Sequence, residues 1–130
     1  ITIRTAYEVM PFENSVVVAA IKGEQVYELI TYLCEAKRAH PISVQLQLTL
    51  DKNGNLSSAT MNGEPIDKTK TYYIATNDYL VNGGDGMTFF HPNESLNVLD
   101  YKIRDVLIDN FKKKDTLHPK RDNRFIQLND

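Results

Sequence analysis

An alternating stretch followed by a tight-turn dipeptide constrains the fold more than any other part of this sequence. In residues 44–50, Val and Leu at every second position alternate with Gln and Thr. This period of two predicts a strand with one buried face and one polar face. Asn53-Gly54 follows and is typical of hairpin turns, so residues 56–61 are expected to return antiparallel. A sheet that is at least partly antiparallel argues against a doubly wound parallel fold.

Two other segments have the periodicity of amphipathic helices. Residues 24–38 carry an apolar face at helical spacing, formed by Val26, Leu29, Ile30 and Leu33. Lys37 and Arg38 at the end of this segment complement the helix dipole. A second helix is predicted over residues 103–111, with Asp100 as its N-cap.

Three apolar stretches predict further strands. Residues 16–21 and 71–76 are rich in β-branched or aromatic side chains, and residues 124–128 have the composition of a closing strand. The glycine-rich residues 82–86 are expected to interrupt all regular structure. Together these patterns predict an α+β fold class, with a mixed, partly antiparallel sheet and two main amphipathic helices.

The size of the chain predicts one domain spanning residues 1–130, since 130 residues with 42% apolar composition support a single core. No apolar run approaches the roughly 20 residues of a membrane-spanning helix. The single cysteine, Cys34, excludes an internal disulfide framework and is interpreted as a small buried hydrophobic residue. Because the first residue is Ile1 and not Met, we expect a processed product or a fragment.

The C-terminal part of the chain is basic although the net charge is −2. Lys112, Lys113 and Lys114 fall at the end of the second predicted helix, where cations complement the dipole. A nucleic-acid partner is therefore not favoured, given the nearly neutral balance. The alternative is an adaptor for protein or nucleic acid that uses this basic segment.

The search for catalytic chemistry in the sequence is negative. The three histidines, His40, His91 and His118, are isolated from one another and lack metal-ligand spacing. Cys34 has no basic or histidine partner in the sequence that would activate it. We predict no catalytic residue and no metal site in this chain.

The glycine loop, defined as Asn82–Gly86, is the strongest candidate for a site. Its three glycines allow backbone conformations with positive φ and a close approach to a ligand or to another segment. Asp85 is expected on a turn, able to accept hydrogen bonds from backbone groups or from ligand hydroxyls. Phe89 and Phe90 follow, and they either stack on a planar ring or pack in the core.

At this loop the sequence resembles a known family. TYYIATNDYLVNGGDG, residues 71–86, is similar to the signature of the C-terminal domain of the 5'-nucleotidase and UDP-sugar hydrolase family. Three further segments agree in order and spacing: VMPFENSVVVAAIKG (9–23), VQLQLTLD (44–51) and NGEPID (62–67). The resemblance covers nearly the whole chain.

The resemblance implies a substrate-specificity domain that binds a nucleoside or nucleotide. In this family a metallophosphoesterase domain carries the divalent metals and performs the hydrolysis, while the C-terminal domain sandwiches the nucleobase between two aromatic rings. That partner domain is expected in cis or as a separate chain, so this chain alone should not turn over substrate. A periplasmic or extracellular location and a bacterial source are also implied.

The resemblance also assigns expected roles to residues. The pocket-forming loop is Asn82, Gly83, Gly84, Asp85 and Gly86, with Asp78 as a brace. His40 falls where the family has its first ring. The second ring usually follows the last glycine of the signature, where this chain has Met87, so Phe89 or Phe90 is expected to stack.

The resemblance further implies that this chain begins after a segment of the family domain that ends in a substrate-contacting arginine. We therefore expect the N-terminal edge of the domain to be missing. The alternative is a diverged, non-catalytic binding or interaction module that kept the fold and lost nucleotide binding.

Overall fold

The structure is a computed structural model that describes residues 14–36, 40–113 and 122–129, with backbone alone for 110–113. Its helices are α1 (Gly23–Glu35), α2 (Asp78–Val81) and α3 (Ile103–Lys113). Its strands are β1 (Ser15–Lys22), β2 (Leu46–Leu50), β3 (Leu56–Met61), β4 (Glu64–Pro65), β5 (Thr71–Asn77), β6 (Ser95–Lys102) and β7 (Phe125–Gln127). Several residues singled out above lie outside the described residues: 9–13, Lys37, Arg38, Lys114 and His118.

The chain divides into two compact units. The first unit is drawn from residues 1–21 and 72–119, and the second unit from residues 22–71 and 120–130. No helix in the described part of the chain has the length and apolar character needed to cross a membrane.

The sheet of the first unit has the strand order β5-β1-β6. β6 runs antiparallel to the central strand β1, with Val17 opposite Val98 and Ala19 opposite Leu96. The apolar residues of β1 supply the core, since Val17, Ala19 and Ile21 are all almost completely buried. β5 leads directly into α2 and the glycine loop, which fixes the loop to the end of a sheet strand.

The sheet of the second unit is mixed, with the strand order β4-β3-β2-β7. β2 and β3 form an antiparallel pair, whereas β7 runs parallel to β2. The three leucines of β2 are buried, as its alternating pattern predicts, whereas Val44, predicted on the same face, lies before the strand and is exposed. The apolar face predicted for α1 is confirmed, since its buried residues are Val26, Leu29, Ile30, Leu33 and the first residue, Gly23.

The turn between β2 and β3 is built by Asp51 and the predicted Asn53-Gly54 dipeptide. The Asp51 carboxylate accepts hydrogen bonds from the backbone amides of Asn53 at 2.8 Å and Asn55 at 3.0 Å. Gly54 adopts a φ of 85°, a conformation that favours glycine. This turn returns the chain so that Leu46 faces Met61, and the predicted hairpin is confirmed.

The α+β fold class and the mixed sheet are confirmed, although the strands divide between two sheets. Three local predictions are corrected. The first helix ends at Glu35, so its last turn holds no basic residue. Asp100 is not an N-cap, because β6 continues to Lys102 and the helix begins at Ile103. The glycine loop does not break all regular structure, since residues 84–86 form a 3-10 turn.

Candidate functional site

The glycine loop is held in a defined shape by backbone hydrogen bonds. The short helix α2 precedes it and is capped by Asn77, whose side chain accepts from the amide of Leu80 at 2.8 Å. The amides of Asn82 and Gly83 then donate back to carbonyls of α2. Within the loop, the amide of Gly86 donates to the carbonyl of Gly83 at 3.2 Å. A loop fixed in this way is already shaped before any ligand arrives.

Asp85 has an unusual backbone conformation at the centre of this loop. Its φ is 54° and its ψ is 21°, which is the left-handed region. For a residue with a Cβ this conformation costs about 1–2 kcal/mol. The hydroxyl of Tyr79 donates a hydrogen bond of 3.1 Å to the exposed Asp85 carboxylate. Asp85, which was predicted as a site residue from the sequence, is therefore oriented by Tyr79, which was not predicted.

The ring of Tyr79 lies against Gly84. A Cβ built on Gly84 would be 2.5 Å from the Tyr79 carbonyl oxygen and 2.6 Å from the Cε1 and Cζ atoms of its ring. Gly84 is thus required because no larger side chain fits beneath the tyrosine. Tyr79 itself is 52% exposed. Its position in the signature, between Asp78 and the glycines, was the signal that could have marked it.

The Asp78 carboxylate joins the start of α2 to the start of β1. It accepts hydrogen bonds from the backbone amide of Ser15 at 3.2 Å and from that of Tyr79 at 3.0 Å. The carboxylate thus contacts Ser15 and Tyr79, while the backbone carbonyl of Asp78 accepts a hydrogen bond of 3.1 Å from the amide of Asn82, the first residue of the glycine loop. Its role as a brace for a ligand-binding loop stays a prediction.

An open depression lies beside the glycine loop in the first unit. It has a volume of about 460 Å³ and is lined by Asn14, Asp78, Tyr79, Asn82, Gly83 and Gly84. Ligand pockets commonly measure roughly 300–1,000 Å³, so the volume suits a small molecule. Carboxylate, amide and phenol groups on its walls offer both hydrogen-bond donors and acceptors. Asn14 belongs to the segment VMPFENSVVVAAIKG, and its place beside the glycine loop was not predicted from the sequence.

Phe89 and Phe90 are core residues in this structure. Phe89 is 8% exposed and Phe90 is 1% exposed, and their ring centroids lie 5.0 Å apart. Met87, at the position where the family usually has its second ring, is also buried. Rings packed at this distance inside the core match the core-packing alternative, and the stacking role expected of Phe89 or Phe90 stays a prediction.

The remaining candidates lie elsewhere. His40 belongs to the second unit, where its ring lies 5.6 Å from that of Tyr32, and its stacking role stays a prediction. Nε2 of His91 lies 3.1 Å from the carbonyl oxygen of Val81. Burial raises the pKa of Cys34, with Glu35 adding to the effect, so its thiol is held in the less reactive protonated form.

The described residues also offer no ligand set for a metal ion. No group of three or more His, Cys, Asp or Glu side chains in that part of the chain is arranged to hold one. The donor set of a metal-dependent hydrolase is thus not formed by these residues.

The fold and the glycine loop together define an α+β domain that carries a family signature. Residues 1–92 match the family described as "5'-nucleotidase, C-terminal domain", and the chain belongs to that family.

Named relatives agree with this assignment. The "Silent protein UshA(0)" of Salmonella typhimurium is 35% identical over 89 residues, and the "Protein UshA" of Escherichia coli is 34% identical over 89 residues. Each alignment covers 66% of this chain, which spans only 16% of the length of these relatives. The crystal structure of a 5'-nucleotidase precursor from Thermus thermophilus superposes with a TM-score of 0.83 at 25% identity, covering 100% of this chain and 28% of that one.

Proposed function

We propose that this chain is the substrate-binding domain of a 5'-nucleotidase-type phosphohydrolase, in which the glycine loop and the adjacent depression bind the nucleoside part of a nucleotide. The observation that carries the proposal is the depression itself, since residues of the family signature form most of its lining. A ligand seated there lies within reach of the side chains of Asn14, Asp78 and Asn82.

The chemistry of the walls supports a nucleoside as ligand. Asn14 and Asn82 each carry an amide that both donates and accepts, which suits the edge of a nucleobase. Asp85 follows Gly84, the last residue of the lining in sequence, and its carboxylate accepts a hydrogen bond from the Tyr79 hydroxyl, as a carboxylate can from a ligand hydroxyl. The exposed part of the Tyr79 ring adds an apolar surface. These groups require no metal and no charged substrate for binding.

Hydrolysis is assigned to another part of the enzyme. We expect a metallophosphoesterase domain, in the same polypeptide or in a separate chain, to supply divalent metals and to cleave the phosphate ester. This chain's task is to hold the substrate in position, which lowers the entropic part of the barrier. A periplasmic or extracellular site of action in a bacterium is proposed on the basis of the relatives that carry the name UshA.

Titration of the chain with adenosine, AMP and a UDP-sugar tests the proposal. Binding by at least one of them at millimolar concentration is expected, read as a calorimetric signal and as a rise in the thermal midpoint. Asp85→Ala should weaken that binding, whereas Lys52→Ala, an exposed change in the turn between β2 and β3, should leave it unaltered.

Three outcomes are informative. Binding lost in Asp85→Ala and kept in Lys52→Ala supports the glycine loop as the site. Equal effects of the two substitutions would assign the loop a structural role only. No binding of any of the three ligands would instead favour the alternative, a diverged module that kept the fold and lost nucleotide binding.

A further inference from the structure

We propose that Tyr79 is a positioning residue, which holds Gly84 and Asp85 in the geometry required by a ligand with two neighbouring hydroxyl groups. The inference rests on the nucleoside-binding function proposed above and extends it to the ribose part of the ligand. Neither the motif spacing nor the composition of the loop indicates this role, which follows from contacts that join Tyr79 to three neighbours.

Tyr79 is anchored at each end although about half of it is exposed. Its backbone amide donates to the Asp78 carboxylate at 3.0 Å, and its hydroxyl donates to the Asp85 carboxylate at 3.1 Å. Between these two contacts its ring covers Gly84 so closely that no Cβ fits there. An exposed side chain is ordinarily free to change rotamer, whereas this one is held by a hydrogen bond and a ring contact.

The contact bears on the least favourable backbone position of the loop. Asp85 is one of two non-glycine residues with positive φ among those described, the other being Asn62 in the turn between β3 and β4. Such a conformation persists where surrounding contacts compensate for it. The Tyr79 hydroxyl supplies one of these contacts to the Asp85 side chain. Removing it should release the carboxylate from its orientation.

The same contacts connect residues that line the depression. Asp78 accepts a hydrogen bond from the amide of Ser15. The residue before Ser15, Asn14, lines the depression together with Gly83 and Gly84, although it lies far from them in sequence. A chain of hydrogen bonds thus runs from β1 through Asp78 and Tyr79 to Asp85, all within the first unit. Tyr79 thus links Asp78, which lines the depression, to Asp85, which directly follows the lining residue Gly84.

The orientation of the Asp85 carboxylate determines which ligands it can bind by hydrogen bonds. A carboxylate has two oxygens that accept hydrogen bonds, which matches two hydroxyls on adjacent carbons, as in ribose. A ligand that lacks both hydroxyls gains nothing from the orientation of Asp85. The preference for a ribonucleoside over its dideoxy analogue is therefore the property that Tyr79 controls, whereas affinity for the base alone is not.

The test compares the wild-type chain with Tyr79→Phe, which keeps the ring and removes the hydroxyl. Dissociation constants for adenosine and for its 2′,3′-dideoxy analogue are measured by calorimetry. Wild type is expected to prefer adenosine, and Tyr79→Phe should bind adenosine about fivefold more weakly while its affinity for the analogue is unchanged. A purely structural role would weaken both ligands equally, and the ratio of the two constants would stay the same.

Two glycine variants provide the matched comparison. Gly84→Ala should also remove the preference for adenosine, because its Cβ overlaps both the ring and the backbone carbonyl oxygen of Tyr79 without demanding a positive φ. Gly86→Ala meets no atom within 4 Å but is strained by its φ of 78°, so it perturbs the loop backbone without touching Tyr79. Asp85→Asn retains an oxygen that accepts a hydrogen bond from the Tyr79 hydroxyl. It should therefore keep more of the preference for adenosine over the dideoxy analogue than Asp85→Ala does.

The outcomes separate this inference from the proposed function. If wild type binds adenosine and Tyr79→Phe has the same ratio of constants, the positioning role is overturned and nucleoside binding stands. If wild type binds neither ligand, the proposed function fails and the inference fails with it. Hydrogen exchange at the amides of Gly86 and Met87 adds a readout without ligand: both amides donate within the loop, and both should exchange faster in Tyr79→Phe.

Discussion

The backbone amide of Ser15 donates a hydrogen bond of 3.2 Å to the carboxylate of Asp78, which joins the first residue of β1 to the first residue of α2. Ser15 is only 9% exposed, so its amide has little access to water. The same carboxylate accepts from the amide of Tyr79, one of the N-terminal donors that a helix leaves without an internal partner. One side chain therefore satisfies two backbone donors that lie far apart in sequence.

Asp78→Ala should lower the free energy of unfolding by about 1–3 kcal/mol, because it leaves the buried Ser15 amide without its acceptor. Asp78→Asn keeps a carbonyl oxygen at the same place and should lose less. Chemical denaturation followed by circular dichroism measures both variants. Glu64→Ala, an exposed change in β4, is the control. An Asp78→Ala midpoint equal to that of wild type would show that the bond contributes no stability.

Gly23→Ala should destabilise the chain although alanine is the better helix former. A Cβ at this position would lie 1.9 Å from the Asp67 carbonyl oxygen, and the Gly23 amide donates to the carbonyl of Lys70 at 2.8 Å. The gain in helix propensity is about 1 kcal/mol, whereas forcing two backbone segments apart costs typically about 1–3 kcal/mol and breaks hydrogen bonds as well. We expect a net loss of stability, measured as a lower denaturation midpoint.

Gly54→Ala is the control for Gly23→Ala, because it introduces backbone strain without steric overlap. Gly54 has no atom within 4 Å of a built Cβ, but its φ is 85°. Its substitution should cost about 1 kcal/mol from conformation alone. The amides of Gly23 and Glu24 should exchange faster in Gly23→Ala and at the wild-type rate in Gly54→Ala. Equal exchange in both variants would contradict the steric explanation.

The elements predicted correctly from the sequence are those specified by local patterns. The buried face of α1 follows from helical spacing alone, and the strand β2 follows from strict alternation. Asn53-Gly54 carries its own turn preference. β6 was missed because its exposed apolar residues do not alternate: Leu96 and Val98 are followed directly by Leu99. Its pairing with the buried strand β1 fixes it as a strand, and Asp100 lies within it for that reason.

Asp78 and Asn82 were predicted as site residues and line the depression, whereas Asn14 and Tyr79 were not predicted. The glycines predict backbone conformations with positive φ, and Gly83 and Gly86 adopt them. Which aromatic residues face solvent depends on tertiary packing, which the spacing of Phe89 and Phe90 from the loop does not encode. Tyr79 is exposed and bonded to Asp85, whereas both phenylalanines are buried. Asn14 lies far from the loop in sequence and lines the depression only through the fold.

Phe90→Ala should lower the free energy of unfolding by about 3–5 kcal/mol, because the ring is 1% exposed and its removal leaves a cavity. Phe90→Leu conserves more of the volume and should lose less than about 1.5 kcal/mol. Nucleoside affinity should be unaltered in Phe90→Leu, since a core ring makes no ligand contact. A folded Phe90→Leu variant with clearly weaker binding would restore the stacking role that its burial argues against.

Arg124 attaches the beginning of β7 to the loop before β2. Its Nη1 donates to the carbonyl of Ile42 at 2.8 Å, and its Nε donates to the Asp122 carboxylate at 2.8 Å. The side-chain hydrogen bonds from Arg124 lower the pKa of Asp122 to about 2. The pKa of Asp67 is also lowered, chiefly by the hydrogen bond from the backbone amide of Thr69. Both carboxylates are therefore harder to protonate in the folded chain than in the unfolded one.

Acid should remove the stabilising effect of Asp122 between about pH 4 and pH 2. A carboxylate with a depressed folded-state pKa stabilises the fold above its unfolded value, about 3.9, and loses that effect as the pH falls through its folded value. The thermal midpoint of wild type should exceed that of Asp122→Asn at pH 6, and the difference should shrink towards pH 2. Because both groups are exposed, salt should reduce the difference at pH 6. Asp67→Asn is the parallel variant, and its thermal midpoint should also approach that of wild type as the pH falls. If the midpoint of wild type exceeds that of Asp122→Asn by the same amount from pH 6 to pH 2, the Arg124 contact does not govern acid stability.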